Sequence, residues 1–275
     1  MTFFLFLWQW VAEYFAGLQD RRDGIEGPQD GADVDDLPEI ITAPAGVMLP
    51  DSTGAEFDGD LPGLTPLPVI PTHRGRFVWC INRAHGKFQG GKRSPVLPEL
   101  GRRFFEWEWS DRVVDLVIEG LENLGVRYFE VVPEANVGRF LAARVDRANN
   151  LVTELPKMYL SIHANTAHTP DLDTWEPNVT GTETWCYHTS LRGRKMAGIF
   201  QRHLLKATGL RDRGVKSQES GQFYELSETT MPSVLTEAGF YNSPEECRYL
   251  MRPEVMQAIA DAHIEAILEI EEHGL

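Results

Sequence analysis

The sequence predicts an α/β domain over residues 73–275, behind a leader of different character. Three observations carry this. From Arg76 onward, short apolar runs alternate with segments of helical spacing, the pattern of a sheet covered on both faces. The composition is that of a folded chain, with 42% hydrophobic and 24% charged residues in 275. The net charge of −15 is unevenly spread: residues 1–72 hold 13 acids against Arg21 and Arg22 alone, and the rest is close to balanced.

Each element follows in order. Residues 3–18 (FFLFLWQWVAEYFAGL) place Phe4, Leu7, Trp8, Val11, Phe15 and Leu18 at three- and four-residue steps, so residues 1–18 read as an apolar helix. The run is marginal for a membrane span, and neither a basic start nor a small-x-small cleavage site is convincing. Such a helix suits packing on its own domain or on a partner protein; a membrane anchor or atypical export signal is the alternative, helped by Trp8 and Trp10. Residues 19–72, rich in Asp, Gly and Pro, read as an acidic linker or arm.

Phe77–Ile81 (FVWCI) suits a buried strand. Phe105–Leu124 carries Val113, Val117, Leu121 and Leu124 at helical spacing and stops at Gly125. Val126–Val132 reads as a strand, Val137–Asn149 as a helix and Met158–His163 as a strand. Glu183–Tyr187 is a further strand, followed by a helix at Leu191–Thr208 and a strand at Ser233–Thr236. Helices at Pro244–Met251 and Pro253–Glu272 close the chain. In such sheets ligands gather at strand ends.

Composition also excludes classes. Collagen, disorder throughout and a multi-span membrane protein do not fit, and an acidic chain makes a poor phosphate-backbone binder, so nucleic acid is not an expected partner. Cys80, Cys186 and Cys247 are odd in number and widely spaced, which suits buried free thiols rather than a disulfide framework or a CxxC zinc knuckle.

Four polar residues fall where chemistry would sit. His85 follows the first strand, Glu106 opens the first long helix, and His163 and Glu237 end strands. Two imidazoles and a carboxylate suit a zinc ion with an open position, and a further carboxylate suits a general base. Spacing alone leaves open that these are surface or structurally bonded groups.

The segments HGKFQGGKRSP, FFEWEWSD, SIHAN and LTEAGF, in that order, resemble the zinc-dependent N-acetylmuramoyl-L-alanine amidases of bacterial cell walls and phage endolysins, over about residues 76–273. The resemblance implies a single α/β domain with a mostly parallel, six-stranded central sheet flanked by helices. It implies hydrolysis of the amide joining the muramic acid lactyl group to L-alanine. His85, Glu106 and His163 match the family's zinc ligands and Glu237 its catalytic glutamate. Glu108 rivals Glu106, but the position of Gly125 favours Glu106. Ser110 stands where the family has Asn, and Ala84 stands where glycine precedes the first histidine, constraining that turn.

Other residues carry weaker expectations. Asn165, Glu183 and Lys216 are candidates for contact with substrate. Asn165 also suits a structural role, and Lys216, in DRGVK, lies in what resembles a family loop near the cleft. Arg144 and Asn149 suit structural roles, and His168 is a spare ligand candidate. Trp107, Trp109, Trp175 and Trp185 suit either a glycan groove or the core. The expected partner is peptidoglycan, both glycan strand and stem peptide. The expected location is the periplasm or wall of a bacterium, or the host cytoplasm and then the wall for a phage lysin. A zinc peptidase or amidase acting on another bond, and a non-catalytic structural or binding module, are the alternatives.

Overall fold

The computed structural model describes residues 75–134, 141–220 and 223–275. The apolar helix expected at 1–18, the acidic arm at 19–72 and the first positions of the helix expected from Val137 lie outside these residues. The described elements are β1 (Val78–Arg83), α1 (Glu106–Asn123), β2 (Tyr128–Glu130), α2 (Leu141–Asn150), β3 (Lys157–Asn165), β4 (Thr182–Cys186), α3 (Leu191–Thr208), β5 (Asp212–Lys216), α4 (Tyr224–Glu228), β6 (Ser233–Phe240), α5 (Pro244–Leu250) and α6 (Pro253–His273).

The six strands form one sheet in the order β2-β1-β3-β6-β4-β5. Strands β2, β1, β3 and β6 run parallel; β4 is antiparallel to β6, and β5 is parallel to β4. This is an α/β fold with a mostly parallel sheet. Two elements depart from the sequence reading. DRGVK, expected as a loop, is the edge strand β5. It has no apolar alternation because an edge strand faces water, and pairing with Thr182–Trp185 holds it instead. The helix α4 is five residues long, too short to show a period.

The strands alternate between two unequal faces. One face, with Trp79, Ile81, Met158, Leu160 and Ile162, packs against α1, α3 and α6 to make the main core. Val113, Val117 and Leu121 are the buried stripe of α1. Gly125, at φ 66°, ends that helix where a side chain would be strained. Ser190 caps α3 by accepting from the Gly193 N–H at 2.9 Å. The other face carries Cys80, Asn82, Tyr159, Ser161 and His163. The small helices α2 and α4 lie over it, with Ala148 and Leu151 packing near Tyr159. The polar residues of the strands gather on this face.

Candidate metal centre

The site lies where β1, β3 and β6 end and α1 begins. His163 and Glu237 are register partners on neighbouring parallel strands, and Glu183 on β4 is the partner of Glu237 on its other side. One row across three strands therefore reads imidazole, carboxylate, carboxylate on one face.

His85 sits two residues beyond β1 with φ 56°, the one non-glycine residue with positive φ among those described. Such a conformation costs roughly 1–3 kcal/mol and persists only where surroundings impose it. Here two restraints flank it. The Ala84 N–H donates to Ser110 Oγ at 2.8 Å, and the His85 carbonyl accepts from Arg144. The sequence reading placed the turn's constraint at Ala84; the left-handed residue is one later, His85 itself.

Glu106 is the first residue of α1, where the free N–H groups and dipole of a helix favour a carboxylate. Its own N–H donates to the Lys92 carbonyl at 3.0 Å, and an Arg93–Phe105 bridge anchors the helix start. Its Oε1 lies 2.9 Å from His163 Nδ1 and its Oε2 3.0 Å from His85 Nε2. Glu108 points elsewhere, 3.7 Å from both Arg102 and Arg112.

One ligand atom from each of His85, Glu106 and His163 lies within 4.8 Å of the others. A tetrahedral zinc with ~2.1 Å bonds needs neighbouring donors about 3.4 Å apart, so small adjustments suffice. Two imidazoles and one carboxylate are a catalytic zinc donor set, leaving room for a fourth ligand. Beside them Glu237 is 7% exposed, and its Oε2 has no hydrogen-bond partner among the described residues. A buried carboxylate oxygen without a donor is costly, and it suits an atom that meets a reacting group. The residues fit the ion.

Electrostatics separate the two carboxyls. Burial opposes charge on Glu106, but His85 and His163 overcome it and hold the carboxyl down to about 2. Burial also dominates at Glu237 and pushes it up to about 8; His163 works against this, and Glu106 and Glu183 add to it.

The weaker candidates divide. Glu183 is buried and engaged by three donors: Asn165 Nδ2 at 3.0 Å, Trp185 Nε1 at 2.9 Å and Arg213 Nε at 2.6 Å. Asn165 thus ties β3 to β4 across the end of β6. Lys216 is the register partner of Trp185, one pleat below the Glu183 row. His168 is exposed and outside the cluster. Trp109 belongs to the core, with Nε1 donating to the Leu250 carbonyl at 2.9 Å, whereas Trp185 meets Phe223 edge-on at 5.2 Å. Asn149 joins α2 to the Glu228 carbonyl and the Thr230 N–H. The three cysteines are buried, and burial lifts Cys80 and Cys247 to about 11.

Sequence reasoning named Arg144 for a structural role but missed the polar layer beneath the histidines to which it belongs, with Asn82, Ser161 and Glu225. Arg144, 1% exposed, donates to Asn82 Oδ1 at 2.7 Å and to the carbonyls of Arg83 and His85. Asn82 Nδ2 donates to Ser161 Oγ at 2.9 Å and to Glu225 Oε1 at 2.5 Å. Ser161 Oγ lies 3.0 Å from His163 Nε2. One signal was available: in SIH, Ser161 is two residues before His163, on the same strand face.

A family model described as N-acetylmuramoyl-L-alanine amidase matches residues 80–269, which contain all four motif residues. The chain belongs to the N-acetylmuramoyl-L-alanine amidase family. The uncharacterised protein YqiI of Bacillus subtilis is 32% identical over 196 residues, covering 70% of this chain and 84% of that protein. The endolysin of Bacillus phage SPP1 is 28% identical, covering 71% of this chain and 66% of the endolysin. Among solved structures, the N-acetylmuramoyl-L-alanine amidase of Clostridium difficile 630 shares the fold at a TM-score of 0.61 and 21% identity, covering 72% of this chain and 98% of that one. The chain spans 38% and 25% of the lengths of two further curated relatives, from Clostridium perfringens and Bacillus anthracis.

Proposed function

We propose that this family member is a zinc-dependent amidase that hydrolyses the bond between N-acetylmuramic acid and L-alanine in peptidoglycan. The observation that carries the reading is the convergence of His85, Glu106 and His163 beside the unpartnered Glu237 Oε2. His85, Glu106 and His163 would hold the ion. When bound, zinc supplies a Lewis acid that polarises a carbonyl and lowers the pKa of water toward ~7.

Glu237 takes a proton from the attacking water and delivers it to the amine nitrogen as the amide C–N bond breaks. Glu183, held by Asn165, Trp185 and Arg213, keeps the wall of the cleft beside Glu237 in place. Asn165 and Lys216 remain our candidates for contact with the stem peptide. Residues 73–275 form the catalytic unit in this reading, with 1–18 and 19–72 as a docking helix and an arm. The substrate puts the site of action at the bacterial cell wall, and the helix would bring it to a membrane or a partner protein.

Mass spectrometry of digested peptidoglycan tests the bond assignment: intact stem peptides freed from glycan are expected, and cleavage within the stem would refute it. Glu237→Gln is expected to lower turnover ~10²–10⁴-fold while zinc stays stoichiometric. Wall hydrolysis by that variant at the wild-type rate would remove Glu237 from the mechanism.

A further inference from the structure

The hydrogen bonds beneath His163 can be assigned donor by donor. The guanidinium of Arg144 can only donate, so the oxygen of Asn82 faces it at 2.7 Å and the Asn82 amide nitrogen faces the other way. That nitrogen spends its two protons on Ser161 Oγ at 2.9 Å and Glu225 Oε1 at 2.5 Å. The ionised carboxylate of Glu225 can only accept. It takes the Tyr159 hydroxyl proton at 3.0 Å on Oε1 and the Ser161 hydroxyl proton at 3.4 Å on Oε2. Ser161 has then given its one proton and received one. What it still offers, 3.0 Å from His163 Nε2, is a lone pair. Glu225 Oε2 also lies 3.8 Å from the same nitrogen, so two acceptors face His163 Nε2 and favour a hydrogen on it. An ion that displaces the proton shared by Nδ1 and Glu106, 2.9 Å apart, would then meet the Nδ1 lone pair.

We propose that Glu225 is a positioning residue for the metal centre, selecting, directly and through Ser161 and Asn82, the His163 tautomer that keeps its hydrogen on Nε2 and gives Nδ1 to an ion beside Glu106. Glu225 touches no reacting atom. It stands 62 residues beyond its target His163 and belongs to α4, a five-residue helix. The same layer reaches the other histidine, because Arg144 orients Asn82 and also binds the His85 carbonyl. Partners of this kind commonly tune metal affinity ten- to a hundredfold. The inference rests on the zinc reading above, and its test separates the two.

The full chain is loaded with zinc, and dissociation constants are measured by competition with a chromogenic chelator. Ser161→Ala and Glu225→Gln are each expected to weaken zinc about 10–100-fold. Tyr159→Phe, which removes a different donor to Glu225 and leaves the chain of assignments intact, is expected to stay within about threefold of wild type on the same reasoning. Affinity within about twofold of wild type in a folded Ser161→Ala or Glu225→Gln protein overturns the proposal, since the supporting bond would then have no effect. Should either variant fail to fold, long-range proton–nitrogen correlation spectra of zinc-loaded wild-type protein decide it. A His163 proton on Nε2 supports the assignment, and one on Nδ1 overturns it. Wild-type protein that takes up no zinc brings down the metal reading and this inference together; unchanged variant affinities bring down this one alone.

Discussion

Ser110 makes a sharp test of how the metal centre is built. Its hydroxyl accepts from the Ala84 N–H at 2.8 Å and donates to the Ile162 carbonyl at 2.7 Å. It thus joins the residue before His85 to the residue before His163, and it is fully buried on α1, one helical turn after Glu106. Ser110→Ala removes both bonds and gives neither backbone group a replacement. The N–H of Ala84 has no other partner among the described residues, so leaving it buried and unpaired costs about 1–3 kcal/mol. The lost bond to Ile162 adds about 0.5–1.5 kcal/mol. The total is roughly 2–4 kcal/mol, which in a domain of this size lowers Tm by roughly 5–12 °C. The left-handed turn at His85 also loses one of its two restraints, so zinc affinity should fall about tenfold or more. Calorimetry of the metal-free protein and chelator competition on the loaded protein measure the two effects separately. A Tm within ~1 °C of wild type would refute the energetic reasoning, being smaller than the shift expected from one lost bond. Unchanged zinc affinity would refute the claim that Ser110 sets the ligand turn.

Further expectations follow from other contacts. His263 is buried, its Nδ1 donating to the Ile259 carbonyl at 2.7 Å and its Nε2 accepting from Thr236 at 2.9 Å, and burial pulls its pKa down to about 4. The unfolded chain binds that proton near pH 6.5 and the folded one only near 4, so its contribution is present above 6.5 and is lost as pH falls toward 4, about 3 kcal/mol in all. Denaturant melts across that window should show a steeper acid loss for wild type than for His263→Gln, and parallel profiles would contradict the assignment. Gly181 has φ 119°, and a Cβ there would lie 2.4 Å from the Arg211 carbonyl oxygen; Gly181→Ala should cost roughly 2–4 kcal/mol, and a melt unchanged from wild type would count against the strained turn. Chelating zinc should lower Tm, because ligands from three separate elements are tied by one ion. At a free zinc concentration a thousandfold above Kd the loss is about 4 kcal/mol, and a Tm independent of zinc would speak against a site formed only in the native state.

How much of this was readable in advance depends on the range of each interaction. The strand containing Tyr159–His163 and the helix at Leu191–Thr208 were legible, because apolar periodicity is written in adjacent residues. Edge strand β5 was not, since its pairing partners are 30 or 31 residues away and its side chains need no apolar pattern. Glu106 and Glu108 differ by two positions on one helix. The choice between them became a geometric fact only when α1 brought one carboxylate between two imidazoles and the other to Arg102 and Arg112.

The sequence by itself determined the order of the strands and helices other than β5 and α4, and the short motifs that hold His85, Glu106, His163 and Glu237, since these depend on local periodicity and residue chemistry. Only the tertiary structure decided that His163, Glu237 and Glu183 share one row, that Ser110 bridges the two histidine turns, and that Glu225 lies under His163 through Ser161. The reason is physical. A buried hydrogen bond between residues far apart in the chain leaves no periodic trace in sequence, and it exists only after packing has removed water and left each donor a single acceptor to meet.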